Sequence, residues 1–88
     1  MDRNQEILNA AIMEVVDNQI RDLDPPETKQ TYERLLSEGI SEQEAKSYIA
    51  GVVASEIFEI LKNGKSFDRA RYIKALSELP KLPGEDEE

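Results

Sequence analysis

Eighty-eight residues without a histidine or a cysteine exclude disulfides, thiolate chemistry, histidine-based hydrolase triads and zinc sites. A chain of this length has room for one domain with a small core. Its net charge of −8 repels phosphate backbones and anionic lipids, so we expect neither a nucleic-acid partner nor attachment to a membrane.

The opening residues, MDRNQEIL, include an acidic residue and contain no apolar run of signal-peptide length. No segment of the chain approaches about 18 uncharged apolar residues. We therefore expect a cytoplasmic protein. The sequence identifies no cofactor and no small-molecule ligand, and we expect none.

The first predicted helix covers about residues 3–22. Its apolar residues recur every three or four positions, which places them along one face of a helix. They are Leu8, Ile12, Val15, Val16, Ile20 and Leu23. Gln19 lies within this stripe. We expect its amide to lie at the edge of the core and to bond to backbone groups, rather than to hold a ligand.

The second helix is predicted at about residues 25–38. Asp24 is the expected N-cap, because prolines at the next two positions suit a first helical turn, where no N–H donor is needed. The helix should end at Gly39, with Ile40 touching its last turn in a Schellman motif. Its apolar side is formed by Thr28, Tyr32, Leu35 and Leu36.

The third helix, predicted at 42–63, is the centre of the expected fold. Ser41 and Glu44 have the spacing of a capping box at its start, and Asn63–Gly64 can close its last turn in the left-handed conformation. Its apolar residues cover roughly two thirds of the circumference, wider than a helix resting on a core needs. We expect this helix to be one uninterrupted rod, enclosed on most sides by its own chain or by a partner. The stripe and its flanks comprise Ala45, Ile49, Ala50, Val52, Val53, Ala54, Ile57, Phe58, Ile60 and Leu61.

Glu56 projects into this apolar stripe and has two interpretations. A buried carboxylate with a raised pKa could act as an acid, a base or a metal ligand. Alternatively it is a structural residue, which we favour because one carboxylate does not make a site. It would then lie at the edge of the stripe or pair with Arg34, Arg69, Arg71 or a tyrosine hydroxyl.

A band of small side chains, Ser47, Gly51 and Ser55, recurs every fourth residue on the same helix. Small residues let another backbone approach closely. Packing within one chain explains the band, and so does a symmetric dimer contact. With Phe58 beside them, these residues are the candidate protein interface.

The fourth helix is predicted at about residues 68–79. Asp68 is its expected N-cap, Phe67 should pack onto Tyr72 as a hydrophobic staple, and Pro80 should end the helix. The residues predicted to face inward are Ala70, Ile73 and Leu76.

The last residues have too few apolar side chains for a further element. Leu82 could pack back onto the helices, and residues 83–88 form an acidic tail that we expect to be disordered. We interpret the tail as a solubilising terminus rather than as a nucleic-acid mimic.

Short connections between these helices favour an all-α fold, a compact four-helix bundle of two antiparallel helical hairpins. The first and third helices also share their apolar spacing at an offset of about 37 residues, which aligns Gln19 with Glu56. A duplicated hairpin would explain this spacing, and so would two amphipathic helices in the same phase.

The segments QIRDLDPPETKQTYERLLSEGISEQEAKSYIA, EIFEILKNG and FDRARYIKALSELP resemble a family of small, all-helical bacterial and archaeal proteins of unknown function. The resemblance covers the chain roughly from Ile12 to Leu82. Proteins of this kind carry histidines on their first and third helices. This chain has none, which argues against a shared metal site. The resemblance implies a helical fold and carries over no functional residue, because the family has no assigned activity.

Three functions follow as hypotheses. The first is a non-enzymatic module that binds a protein partner or itself as a homodimer through the third helix. The second is a metal-binding or enzymatic carboxylate bundle centred on Glu56, with Glu14 as a further carboxylate. The third is a nucleic-acid-associated regulator that uses Arg69, Arg71 and Lys74. We favour the first, because the chain lacks the Glu-x-x-His motif of di-metal bundles and the basic recognition helix of DNA-binding proteins.

Overall fold

The computed structural model describes residues 3–83, and four helices account for all the regular structure in that range. Every helix begins and ends within one residue of its predicted bounds, and the all-α prediction is confirmed for this part of the chain. The predicted tail at 83–88 lies, apart from its first residue, outside the described residues. The helices are α1 (Arg3–Asp22), α2 (Pro26–Ser37), α3 (Glu42–Asn63) and α4 (Arg69–Glu78).

Both predicted ends of α3 are confirmed. The Ser41 hydroxyl accepts a hydrogen bond from the Glu44 N–H at 3.1 Å, which satisfies a donor that the first turn leaves unpaired. At the other end Gly64 has a φ of 64°, and its N–H donates to the Ile60 carbonyl at 2.9 Å. Only glycine adopts this conformation without a steric cost, so the helix stops there.

The predicted N-cap of α2 is wrong. Pro25 occupies that position in an extended conformation, and no side chain caps the helix. If Asp24 were the N-cap, Pro26 would occupy the second helical position. Proline has no N–H there to donate to the Asp24 side chain. The Schellman ending is confirmed, because the N–H of Ile40 donates to Leu35 and that of Gly39 donates to Leu36.

The core draws on all four helices, with α3 as the largest contributor. α1 and α4, the outer helices, each pack against both α2 and α3. They also meet each other through a hydrogen bond between Gln19 and Tyr72. The Cα positions extend over 34 × 32 × 29 Å, nearly equal in all directions. The buried apolar residues are Ile12, Val16, Leu35, Ala45, Ile49, Val52, Val53, Tyr72, Leu76 and Leu79.

The outer helices bury less of their predicted stripes than expected. On α1 only Ile12 and Val16 are buried, and the stripe residues left exposed are Leu8, Val15 and Leu23. On α4 the prediction for Ala70 is wrong: it is exposed, whereas Tyr72 and Leu76 are buried and Ile73 is half-buried. The staple is confirmed, since the rings of Phe67 and Tyr72 lie 5.6 Å apart. Among residues 3–83, no helix combines the length and the apolar character needed to cross a membrane.

Candidate protein-interaction surface

Most of α3 is enclosed by its own chain. Between residues 45 and 57, Ser47 is the one exposed residue, and the helix continues through Gly51 without a break. The other helices and the C-terminal residues cover the remaining positions. The prediction of an uninterrupted, largely enclosed rod is confirmed over this stretch.

The last two turns of α3 differ from the rest. Phe58 is 66% exposed and Leu61 is 77% exposed, the highest values for large apolar side chains within residues 3–83. Lys62 shares their face, because residues three and four apart are neighbours on a helix. Lys65 follows directly after the helix ends. We call Phe58, Leu61, Lys62 and Lys65 the exposed corner, and here the expected enclosure is wrong.

The small-residue band is partly covered from within the chain, at Gly51 and Ser55. Leu82 lies over Gly51 so closely that a Cβ on this glycine would be 2.9 Å from the Leu82 Cδ2. Pro83 and Ser55 line one cavity of about 270 Å³. The prediction that Leu82 packs back is therefore confirmed. Of the four candidate interface residues, Ser47 and Phe58 stay exposed, while Gly51 and Ser55 are half-buried.

Glu56 is buried, with 7% of its surface exposed, and both of its carboxylate oxygens accept hydrogen bonds. The Arg71 guanidinium donates to them at 2.8 and 3.2 Å, and the Asp68 N–H donates at 3.2 Å. The hydrogen bonding to Glu56 raises the pKa of Arg71. Glu56 thus ties α3 to the first turn of α4, in agreement with the structural interpretation of this residue.

No group of three or more potential metal ligands comes together within residues 3–83. Glu14 is exposed on α1, whereas Glu56 is buried on α3. The carboxylates proposed for the second hypothesis are therefore not assembled into one site in the described part of the chain.

Gln19 is half-buried and joins three helices. Its side-chain oxygen accepts hydrogen bonds from the Tyr72 hydroxyl at 2.6 Å and the Thr28 hydroxyl at 2.9 Å. The prediction that the Gln19 side chain bonds to backbone groups is wrong. Two buried hydroxyls on other helices need an acceptor, and Gln19 supplies it. Burial raises the pKa of Tyr72. A threonine and a tyrosine within otherwise apolar helix faces were the sequence signal for this network.

The basic cluster considered for nucleic-acid binding is largely used within the chain. Arg71 pairs with Glu56 at 2.8 Å, and Arg69 lies 3.6 Å from Glu27. Of the three residues, only Lys74 has no ion pair with a described residue.

Comparison of the chain with protein-family models, with curated proteins and with solved structures returned no match. The resemblance to small bacterial and archaeal helical proteins therefore stays a prediction. The geometry of residues 3–83 carries the functional proposal.

Proposed function

We propose that this protein is a non-enzymatic interaction module that binds a protein, a second copy of itself included, through the exposed corner. The observation that supports this is the exposure of Phe58 and Leu61 side by side, directly after a stretch of α3, residues 45–57, in which Ser47 is the one exposed residue. Covering a large apolar side chain is worth about 1.5–3 kcal/mol. A partner that covers both would gain a substantial part of its binding free energy there.

The corner is the centre of such an interface rather than the whole of it. A standard interface covers about 800 Å² on each partner. The described surface of this protein measures 6037 Å², so the interface would take about an eighth of it. In interfaces of this size a few central aromatic and apolar residues carry most of the binding free energy, which is the part we assign to Phe58 and Leu61.

We also propose the finer architecture of two antiparallel hairpins, α1–α2 and α3–α4, related by duplication. Gln19 and Glu56, which align in the offset, both accept hydrogen bonds from α4. Ile12 and Ile49 align as well, and both are buried. An experimental structure in which the two hairpins superimpose would support the duplication, and unrelated crossing angles would contradict it.

The two other functions have less support. Glu56 is fully engaged by Arg71 and Asp68, so it has no free oxygen to present to a metal or a substrate. Arg69 and Arg71 are paired with carboxylates of their own chain. A protein-binding role in the cytoplasm is the proposal that leaves these internal contacts intact.

Sedimentation velocity from about 5 to about 200 µM tests this function in the homodimeric case. The wild-type sedimentation coefficient should rise with concentration, and the Phe58→Asp/Leu61→Asp variant should remain monomeric. Ile7→Asp/Leu8→Asp is the matched control, because it adds the same two negative charges at exposed apolar residues of α1. A wild-type protein that stays monomeric throughout, or an aspartate variant that still associates, would contradict self-association at the corner.

A further inference from the structure

Positive charge in this acidic protein is concentrated around the α3–α4 connection. Residues 62–74 contain five basic side chains and one acidic side chain, a net charge of +4. The rest of the chain contains six basic and eighteen acidic side chains, a net charge of −12. The exposed corner lies at the beginning of the positive segment.

The two lysines of the corner are not neutralised by the described part of the chain. Neither Lys62 nor Lys65 forms an ion pair there, and both are exposed. Arg69 and Arg71, by contrast, face Glu27 and Glu56. Lys62, Lys65 and Lys74 are thus the basic residues of this segment without an ion pair among the described residues, and Lys62 and Lys65 are the two that belong to the exposed corner.

The connection that follows the corner is concave. A cavity of about 580 Å³ is lined by residues 64–69 and Arg71, with the Lys65 and Arg69 side chains among them. Phe67, itself half exposed, contributes an apolar surface to the same cavity. Apolar and basic groups thus continue from the corner into a depression that can receive a side chain.

We propose that the exposed corner binds an acidic segment of another protein. The partner places leucine or aromatic side chains on Phe58 and Leu61, and its carboxylates beside Lys62 and Lys65. The proposal rests on the proposed function, because both put a protein partner on this surface. It adds the chemistry of the partner, which the apolar residues alone do not specify.

Charge and surface chemistry favour a peptide segment over a nucleic acid or a membrane. A DNA duplex or an anionic bilayer presents many negative charges over a wide area, and the net charge of −12 on the rest of the chain would repel most of them. A short acidic segment meets only the positive corner. Two exposed apolar side chains also need an apolar anchor, which a phosphate backbone does not supply.

The experiment uses a fluorescein-labelled peptide, EDELLEDFLDED, and full-length protein labelled with ¹⁵N. In one control peptide lysines replace the acidic residues, and in another serines replace the leucines and the phenylalanine. We expect the acidic peptide to bind and to shift the amides of Phe58, Leu61, Lys62 and Lys65. Binding should weaken as salt is added, because the lysines are solvent-exposed.

Two charge-reversal variants provide the decisive comparison. Lys62→Glu/Lys65→Glu should weaken binding of the acidic peptide at least about fivefold. Lys29→Glu/Lys74→Glu changes the net charge equally at two exposed lysines outside the corner, one on α2 and one on α4, and should alter affinity less than about twofold. Circular dichroism should show both variants folded. If a variant is not folded, Lys62→Gln/Lys65→Gln and Lys29→Gln/Lys74→Gln replace the pair.

Three results would overturn the proposal. The acidic peptide could bind no more tightly than its lysine counterpart, the two variants could have equal effects, or duplex DNA or phosphatidylglycerol vesicles could shift the corner amides more strongly than the peptide does. Loss of self-association in the aspartate variant together with unchanged peptide binding in Lys62→Glu/Lys65→Glu would leave the proposed function standing without this proposal. A wild-type protein that stays monomeric but binds the acidic peptide at the corner would support this proposal and contradict self-association.

Discussion

Residues 45–57 of α3 and its last two turns both carry large apolar side chains, but the two parts of the helix lie in opposite environments. Over residues 45–57 the helix is covered by α1, α2, α4 and the residues around Leu82. Over the last two turns Phe58 and Leu61 face solvent. The comparison teaches that a wide apolar arc can serve folding along one part of a helix and binding along another.

The charged residues of the two parts differ in the same way. Glu56, in the enclosed part, is bonded to Arg71 and to a backbone N–H. Lys62 and Lys65, at the exposed end, have no ion pair among the described residues. A buried charge requires a partner within the chain, whereas an exposed lysine is hydrated and stays available to a partner on another molecule.

The largest effect on stability should come from truncating an apolar residue in the enclosed part of α3, with the exposed end as the comparison. Ile49→Ala should lower the free energy of unfolding by about 3 kcal/mol, because Ile49 is fully buried and its truncation leaves a cavity. Leu61→Ala should change it by about 0.5 kcal/mol or less. Urea denaturation measures both. Equal losses would mean that Leu61 is covered in the folded monomer, and the comparison would break down.

A smaller loss in the free energy of unfolding is expected from truncating Glu56. Glu56→Ala leaves the Asp68 N–H and the Arg71 guanidinium without their acceptor, and should cost about 2 kcal/mol. Glu14→Ala, at an exposed position of α1, should cost about 0.5 kcal/mol or less. A melting temperature of the wild type that rises with Mg²⁺ or Mn²⁺, and no longer does so in Glu56→Ala, would support the carboxylate hypothesis instead.

Gly51→Ala tests the boundary formed by Leu82. The added methyl group would gain about 1 kcal/mol of helix propensity, but it would displace the end of the Leu82 side chain. We expect a net change smaller than about 1 kcal/mol, together with a shift of the Leu82 methyl resonances. In a Leu82→Ala background the same substitution should stabilise by nearly the full amount. A large loss in both backgrounds would show that backbone, rather than Leu82, lies against this glycine.

The smallest effect is confined to alkaline pH. Burial raises the pKa of Tyr72 above its ordinary value of 10.0, so the folded protein holds this proton more tightly than the unfolded chain. The resulting stabilisation is complete below pH 10.0 and is lost as the pH rises through the higher pKa of the folded state. The stability of the wild type relative to Tyr72→Phe should be constant below that pH and fall above it. A constant difference would place Tyr72 in a solvated environment.

The helices could be predicted because their ends depend on local chemistry. Ser41, Gly64 and Asp68 act on backbone groups within four residues, so the sequence contains the whole interaction. Asp24 failed because its role also depended on Pro26 at a position that needs a donor.

The environment of each helix face could not be predicted to the same degree. Whether Phe58 is covered depends on how the other helices are arranged around α3, which local periodicity does not encode. The hydroxyls that bond to Gln19 come from residues 9 and 53 positions away. The sequence identified Glu56 as a polar residue in the core, whereas its pairing with Arg71 was one of several alternatives.

Hydrogen exchange along α3, measured at low and at high protein concentration, tests the central claim most directly. In dilute solution the amides of residues 49–56 should exchange only through global unfolding, and those of residues 58–63 should exchange much faster. At high concentration the amides of residues 58–63 should become protected while those of residues 49–56 do not change. Uniform protection along the helix in dilute solution would contradict an exposed corner, and no dependence on concentration at the end of the helix would contradict self-association there.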